Sequence, residues 1–512
     1  GAIAQMSARA GAGDPALEEA IRREQDAARQ IEAIRGVLAD SASRPADQRD
    51  ARVDTQLTRQ VQALEADRRR LNEELARRFP DYEALRNPRP PSLADAGAAL
   101  KPDEALVSFF VGREASYVWA VRRGQAPRFA AIPAGEAALA REVAALRAAL
   151  DPQAATLDDV PAFDAARSHR LYAAILGPVE PVIAGARAVT FVPHGALGQL
   201  PMAVLVTKAP GNVAARPGQP FFAQYRDVAW LVRDTAISQV PSVAAFRVLR
   251  GLPAPAAERR AFAGFGDPVF SAQQASAQAP AGALATRGLP LVRRNAPSAQ
   301  ANAASFGLGD LQPLPDTADE VLSVARALGA DLQRDVFLGR NASEGSVKKA
   351  DLARRRFVMF ATHGLVPGEL DGLTQPALAL SAPSLADGDG DGLLTMEEIL
   401  RLRLDADWVV LSACNTASGD GDGAEAVSGL GRAFFYAGAR ALLVTSWPVE
   451  TTSARLLTTD VFARQARDPR LDRATALRQA MLGLIGSGPD GAPFTYAHPI
   501  FWAPFLLVGD GG

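Results

Sequence analysis

A single cysteine, Cys414, is all the thiol this 512-residue chain carries. That excludes an internal disulfide framework and any cysteine-rich metal site. Long apolar runs are missing too: none approaches the roughly 20 residues a membrane span requires, so no span is expected. An excess of one charge is also absent. Lys+Arg 55 against Asp+Glu 57 gives a formal net charge of -2, which argues against nucleic acid or an anionic membrane as the main partner. Histidine is scarce, with 4 in all, so each can be weighed by its surroundings. Lysine is scarce while alanine and arginine abound, the coding bias of a GC-rich bacterial genome. No signal peptide is visible. The opening GAIAQMSARAGAG reads as a piece of something longer, so the expected compartment is the cytoplasm, with the periplasm as the alternative.

What is present is enough apolar residue, 48%, for more than one core, and a chain of this length is expected to form two or three domains. Residues 1–90 read as a helical hairpin. Asp14-Pro15 is a start signal, Leu17, Ile21, Ile31, Ile34 and Leu38 follow at helical spacing, and Leu57, Val61, Leu64, Leu71 and Leu75 resume it after a break. Residues 88–100 are a linker. Over 97–245 the period changes to that of an α/β domain: ALVSFFV, YVWAV and RFAAI as strands, helices at 135–150 and 164–184, and a buried strand running into His194-Gly195. Residues 270–310, rich in Ala, Ser, Gln and Pro, are expected to be a mobile linker bearing Arg287, Arg293 and Arg294.

Over 311–512 strands and helices alternate. FVMFA, ALALS, WVVLSA, ALLVTS and PFLLVG are apolar enough to be buried on both faces of a mostly parallel sheet flanked by helices. In such a sheet, ligands and reacting groups gather at the carboxyl ends of strands. Two strands end there in reactive side chains. FVMFATHG ends in His363, and WVVLSAC ends in Cys414, where Asn415 and Thr416 open a glycine-rich acidic loop. The thiol of a free cysteine, with a pKa of about 8.5, is mostly protonated at neutral pH, and a neighbouring imidazole raises its thiolate fraction. A histidine preceding the cysteine by 51 positions is close to the caspase interval of about 50, although SACNT is not the caspase signature. The pair is read as a catalytic dyad. The competing reading is a core cysteine and a turn histidine. His194 ends a strand in a region without cysteine and is read as structural, His169 has no context, and His498 is expected to pack beside aromatics.

FATHGL, DGLLTMEEIL, VVLSACNTA, GLGRAFFYAGARALLVTSWPVE and HPIFWAPFLLVGDG, in this order, resemble the CHAT domain family. These are caspase- and separase-like cysteine peptidases of clan CD, often attached to tetratricopeptide repeats. FPDYEALRNPRPPSLADAGAALKPDEALVSFFVG and FVPHGALGQLPMAVL resemble the region before the CHAT core, so the resemblance covers about 75–512. It implies a catalytically silent caspase-like domain at 97–245, an active peptidase domain at 311–512, and a recruiting or activating protein engaged through a repeat region ahead of this sequence; the helical hairpin at 1–90 is read as a packing or spacer element, with the end of that repeat region as the alternative. It implies Cys414 as nucleophile, His363 as base, and the backbone N–H groups of Gly364 and Cys414 as the oxyanion hole. Members often carry an Asp pair after the SLW-type strand. Here the text is TSWPVETTS, and Glu450, or Asp420 and Asp422 beside the nucleophile, would favour a basic residue before the scissile bond. The expected activity is cleavage of a protein substrate, with self-cleavage in the Arg-bearing linker. The alternatives are a non-catalytic interaction scaffold and acyl transfer to an acceptor other than water.

The chemistry needs no cofactor, but one segment offers a site for Ca2+. DGDGDGLLTMEE, residues 387–398, matches the EF-hand loop: Asp387, Asp389 and Asp391 at the first, third and fifth positions, Gly392 at the turn, the Leu393 carbonyl, and Glu398 as the final bidentate ligand. No helix enters it, and the other reading is an acidic turn capping the next helix. The glycines of GDGDGAEAVSGLGRAFF follow the nucleophile strand, where a nucleotide-binding turn is not expected.

Overall fold

The computed structural model describes residues 51–78, 91–152, 154, 156–215, 217–276, 307–386, 390–412, 429–489 and 493–512, together with helical positions 23, 30, 31 and 34. The chain forms two compact units, Gly1–Pro90 and Pro91–Gly512. In the first, helix α1 (Ala51–Arg78) follows the expected stripe. Val61 and Leu71 are buried, Leu57 and Leu64 half-buried, and Arg59, Asp67, Arg69 and Arg70 exposed, with Arg78 bonded to Glu74 at 2.7 Å. Most of the other helix expected of a hairpin lies outside the described residues.

The second unit is built on one 11-stranded sheet. The expected trio pairs antiparallel, as β1 (Glu104–Val111), β2 (Ser116–Arg122) and β3 (Arg128–Ile132). Next come β4 (Ala188–Val192), parallel to β1, and β5 (Ala236–Gln239), parallel to β4. On the other side, β6 (Arg260–Gly266), β7 (Val336–Leu338), β8 (Arg355–Ala361), β12 (Trp408–Leu411) and β13 (Ala441–Thr445) run parallel in the order β13-β12-β8-β6-β7. The last strand, β14 (Phe505–Gly509), is antiparallel to β13 and parallel to β5, with Val508 opposite Gln239. Both α/β segments therefore contribute to a single mostly parallel sheet. β6 comes from residues 246–269, to which the sequence reading assigned no element. Its text, RAFAGFG, carries two glycines, which weaken a strand signal, and β8 and β7 pair on either side of it.

Helices cover both faces, which is why β12, β13 and β14 are buried at every position. Successive strand residues face opposite ways, so Phe357 and Phe360 of β8 lie on different faces. Phe357 meets Phe462 of the helix Thr451–Arg467, rings 5.4 Å apart, and Phe360 meets Phe434 of the helix Gly429–Ala437 at 5.5 Å. On the Phe357 side, the helix Asp316–Ala327 buries Val321 and Val324 against the same core.

ALALS differs from expectation. It forms only β10 (Ala377–Ala379), in a separate antiparallel sheet between β9 (Gly364–Leu365) and β11 (Leu393–Thr395). The run is flanked by Pro376 and Pro383, and apolarity alone does not say which sheet a short strand joins. The linker expected at 270–310 is anchored at both ends. Phe270 is buried, and Gln274 takes the Phe270 N–H at 2.9 Å and donates to the Leu311 carbonyl at 2.7 Å. Arg287, Arg293 and Arg294 lie outside the described residues. Among the described residues no helix is long and apolar enough to cross a membrane.

Candidate active site

β8 and β12 are adjacent and parallel, with Phe360 opposite Leu411, and the Ser412 N–H donates to the Phe360 carbonyl at 3.0 Å. Both strands leave the sheet at the same edge. Beyond β8 the chain enters Thr362-His363-Gly364. This turn is fastened to β10, where the Thr362 hydroxyl donates to the Ala379 carbonyl and the Ala379 N–H donates to the His363 carbonyl at 2.9 Å. The imidazole of His363 is 2% exposed, flanked by the Phe270 ring at 5.6 Å. Phe270 belongs to a small apolar cluster that includes Leu311, Leu365 and Ala379. The His363 Nε2 lies 2.8 Å from the Gln312 carbonyl oxygen. A carbonyl only accepts, so Nε2 carries a hydrogen.

An acidic pair stands at the same edge. Asp267 follows β6, the strand on the other side of β8, in a left-handed conformation with φ 50. Its N–H donates to Thr317 Oγ1 at 2.7 Å, which docks the start of the helix Asp316–Ala327. Burial, and then the Asp316 charge, push the Asp267 carboxyl up to about 6.

Of the residues expected at the site, Cys414, Asp420, Asp422, Asp387 and Asp389 lie outside the described residues. Gly364 is half-buried at the start of β9, beside His363. Glu450 caps the helix Thr451–Arg467, accepting from Thr452 N at 3.0 Å and Ser453 N at 2.7 Å. The Asp391 carboxylate accepts from Leu393 N at 2.9 Å within its own turn. Gly392 turns the chain with φ 85, and Leu393 enters β11. Glu398 forms a capping box with Thr395, and Lys348 Nζ reaches its Oε1 at 2.7 Å. Burial raises the Glu398 carboxyl, but the bonds from Lys348 and Thr395 outweigh it and hold it below its ordinary value. Lys348 also bonds Glu344 at 2.9 Å. An ammonium thus sits where a loop-bound cation would need the last carboxylate. Among the described residues no three His, Cys, Asp or Glu come together as a metal set.

The remaining histidines are structural. His194 Nδ1 accepts from Val111 N at 3.2 Å, and His169 Nδ1 lies 3.0 Å from the Val206 carbonyl. His498 is fully buried beside Phe222 at 5.0 Å and Tyr225 at 5.1 Å. The sequence reading missed Gln312, which acts through its backbone and leaves no side-chain signal. It also missed Asp267, because β6 was missed, and Glu320, described below.

The CHAT domain model matches residues 165–510, more than half of the chain, and the chain belongs to the CHAT domain family. Tetratricopeptide repeat protein 28 of Homo sapiens is 27% identical over 225 residues, 38% of this chain and 8% of that protein. The Mus musculus protein of the same name is 26% identical over 224 residues, 38% and 9%. The chain thus spans under a tenth of the length of these curated relatives. Among solved structures, the Saccharomyces cerevisiae separase–securin complex is 8% identical, with a TM-score of 0.43 over 94% of this chain and 37% of that one. The Arg-specific cysteine proteinase gingipain R is 9% identical, with a TM-score of 0.34 over 67% and 66%.

Proposed function

We propose that this chain is a cysteine endopeptidase working through Cys414 and His363. The observation that carries the reading is the shared edge of β8 and β12. His363 lies two positions past the end of one strand and Cys414 three past the end of its parallel neighbour, and the imidazole is held through Nε2 by the Gln312 carbonyl. In this reading the Cys414 thiolate attacks the scissile carbonyl carbon, and N–H groups of Gly364 and Cys414 receive the oxyanion. The C–N bond breaks as protonated His363 gives its proton to the leaving amine, which leaves a thioester on Cys414. Water, deprotonated by His363, then hydrolyses the thioester and restores the thiol. The substrate is a protein partner, and self-cleavage in the Arg-bearing linker belongs to the same reading. A repeat region like those of the tetratricopeptide relatives would recruit the partner.

For specificity, Glu450 is occupied as a helix cap, so preference for a basic side chain would rest on Asp420 and Asp422. For residues 387–398, the capping turn is better supported than a Ca2+ loop, because Glu398 already serves Thr395 and Lys348. The test is a proteome-wide search for new N-termini made by wild type and not by Cys414→Ala, with labelling by a covalent cysteine-peptidase probe. Identical N-termini from both proteins and no Cys414-dependent labelling would leave the scaffold reading in its place.

A further inference from the structure

Glu320 lies on the buried face of the helix Asp316–Ala327, in register with Thr317, Val321 and Val324, and is 0% exposed. A carboxylate removed from water costs several kcal/mol unless its oxygens are satisfied. Here two hydroxyls approach them. Ser412 Oγ lies 3.0 Å from Oε1 and 3.1 Å from Oε2, and Thr458 Oγ1 lies 3.1 Å from Oε1. Ser412 is the residue after β12, and Thr458 belongs to the helix Thr451–Arg467. One carboxylate thus ties the carboxyl end of β12 to two helices on the same face. The bond to Ser412 is charge-assisted and roughly twice as strong as a neutral one. It acts two positions before Cys414.

We propose that Glu320 is a positioning residue, fixing the end of β12 through Ser412 so that the sulfur of Cys414 meets the imidazole of His363. The proposal rests on the peptidase reading. Strand ends fray unless tied, and a misplacement of about 1 Å at a reacting atom can cost on the order of 10²-fold in rate. In this proposal the effect of Glu320 passes through Ser412.

The test compares wild type, Ser412→Ala, Glu320→Gln and a packing control, Phe462→Leu, whose ring lies against Trp408 and Phe357. Two readouts are taken: kcat and KM on a cleaved peptide, and the rate of Cys414 alkylation at pH 7. Ser412→Ala removes the bond by deleting one oxygen, so it serves if Glu320→Gln fails to fold. The expected result is that both site variants lose roughly 10- to 100-fold in kcat with little change in KM, and that alkylation slows, while Phe462→Leu lowers Tm as much and moves neither. Wild-type cleavage with unchanged kcat and alkylation in both site variants overturns the positioning role and leaves the peptidase reading standing. No cleavage by wild type, with alkylation at the rate of a free thiol in every variant, overturns both.

Discussion

The Nε2 atom of His363 stands 2.8 Å from the carbonyl oxygen of Gln312, 51 positions earlier in the chain. In the neutral ring this contact puts the hydrogen on Nε2. The carbonyl lies in Leu311-Gln312-Pro313, immediately before the helix that carries Glu320. One helix and its lead-in therefore supply both the carbonyl that meets His363 and the carboxylate that accepts from Ser412 at the end of β12.

Acid should weaken the fold through His498. Burial pulls its imidazole down to about 3, from an ordinary 6.5, against a smaller opposing contribution from the Pro161 backbone. Between pH 6.5 and about 3 the unfolded chain takes up a proton that the folded one refuses. Stability is then lost as pH falls, by up to about 1.4 kcal/mol per pH unit. His498 also caps the short helix Pro499–Trp502, accepting from Ile500 N at 3.2 Å, a role asparagine can fill. His498→Asn is expected to flatten the dependence of Tm on pH in this window; an unchanged slope would count against it.

Asp267 carries the opposite sign. Its folded value of about 6 lies above the ordinary 3.8. Between these values the folded state holds the proton and the unfolded one releases it, so this group's contribution is full below pH 3.8 and is lost as pH rises through 6. The group is only half buried, and solvent screening reduces the effect. Asp267→Asn keeps a side chain tolerant of positive φ. It should raise Tm by about 1–2 °C at pH 7.5 and leave it unchanged at pH 3.5.

Arg355 and Asp335 form a buried pair at 2.5 Å, and Arg355 also donates to the Phe262 carbonyl at 2.9 Å. The pair ties β8, β6 and the lead-in to β7. Asp335→Ala leaves the guanidinium buried without its carboxylate and should cost about 3–5 kcal/mol, read by denaturant melts. A loss below 1 kcal/mol would contradict the assignment.

Much of the second unit is legible in the sequence because its strands are long apolar runs and its helices carry caps such as Asp472 and Ser343. His363 is legible too, since a histidine and glycine after FVMFA sit where a sheet presents its chemistry. Other parts are hidden for definite reasons. β6 contains two glycines that a lone chain would place in a turn. Gln312 contributes a peptide carbonyl, which every residue has. Glu320 did leave a mark: an acid at a position of the helix whose neighbours in register are Thr317, Val321 and Val324. A charge within an apolar stripe signals a buried partner, and that partner, Ser412, is 92 positions away.

Calcium is expected to give no heat on titration into the wild-type protein, because Glu398 bonds Thr395 and Lys348. Glu398→Ala should lower stability by about 1 kcal/mol through loss of the cap. A calcium heat abolished by Glu398→Gln would instead establish an ion site at 387–398.

In the proposed peptidase the sulfur of Cys414 and the imidazole of His363 act together. Because Cys414 is the chain's only cysteine, the pH dependence of its alkylation reads that sulfur without background. The predicted result is a thiolate midpoint well below about 8.5 in wild type, returning to about 8.5 in His363→Ala. Midpoints near 8.5 in both proteins would contradict it.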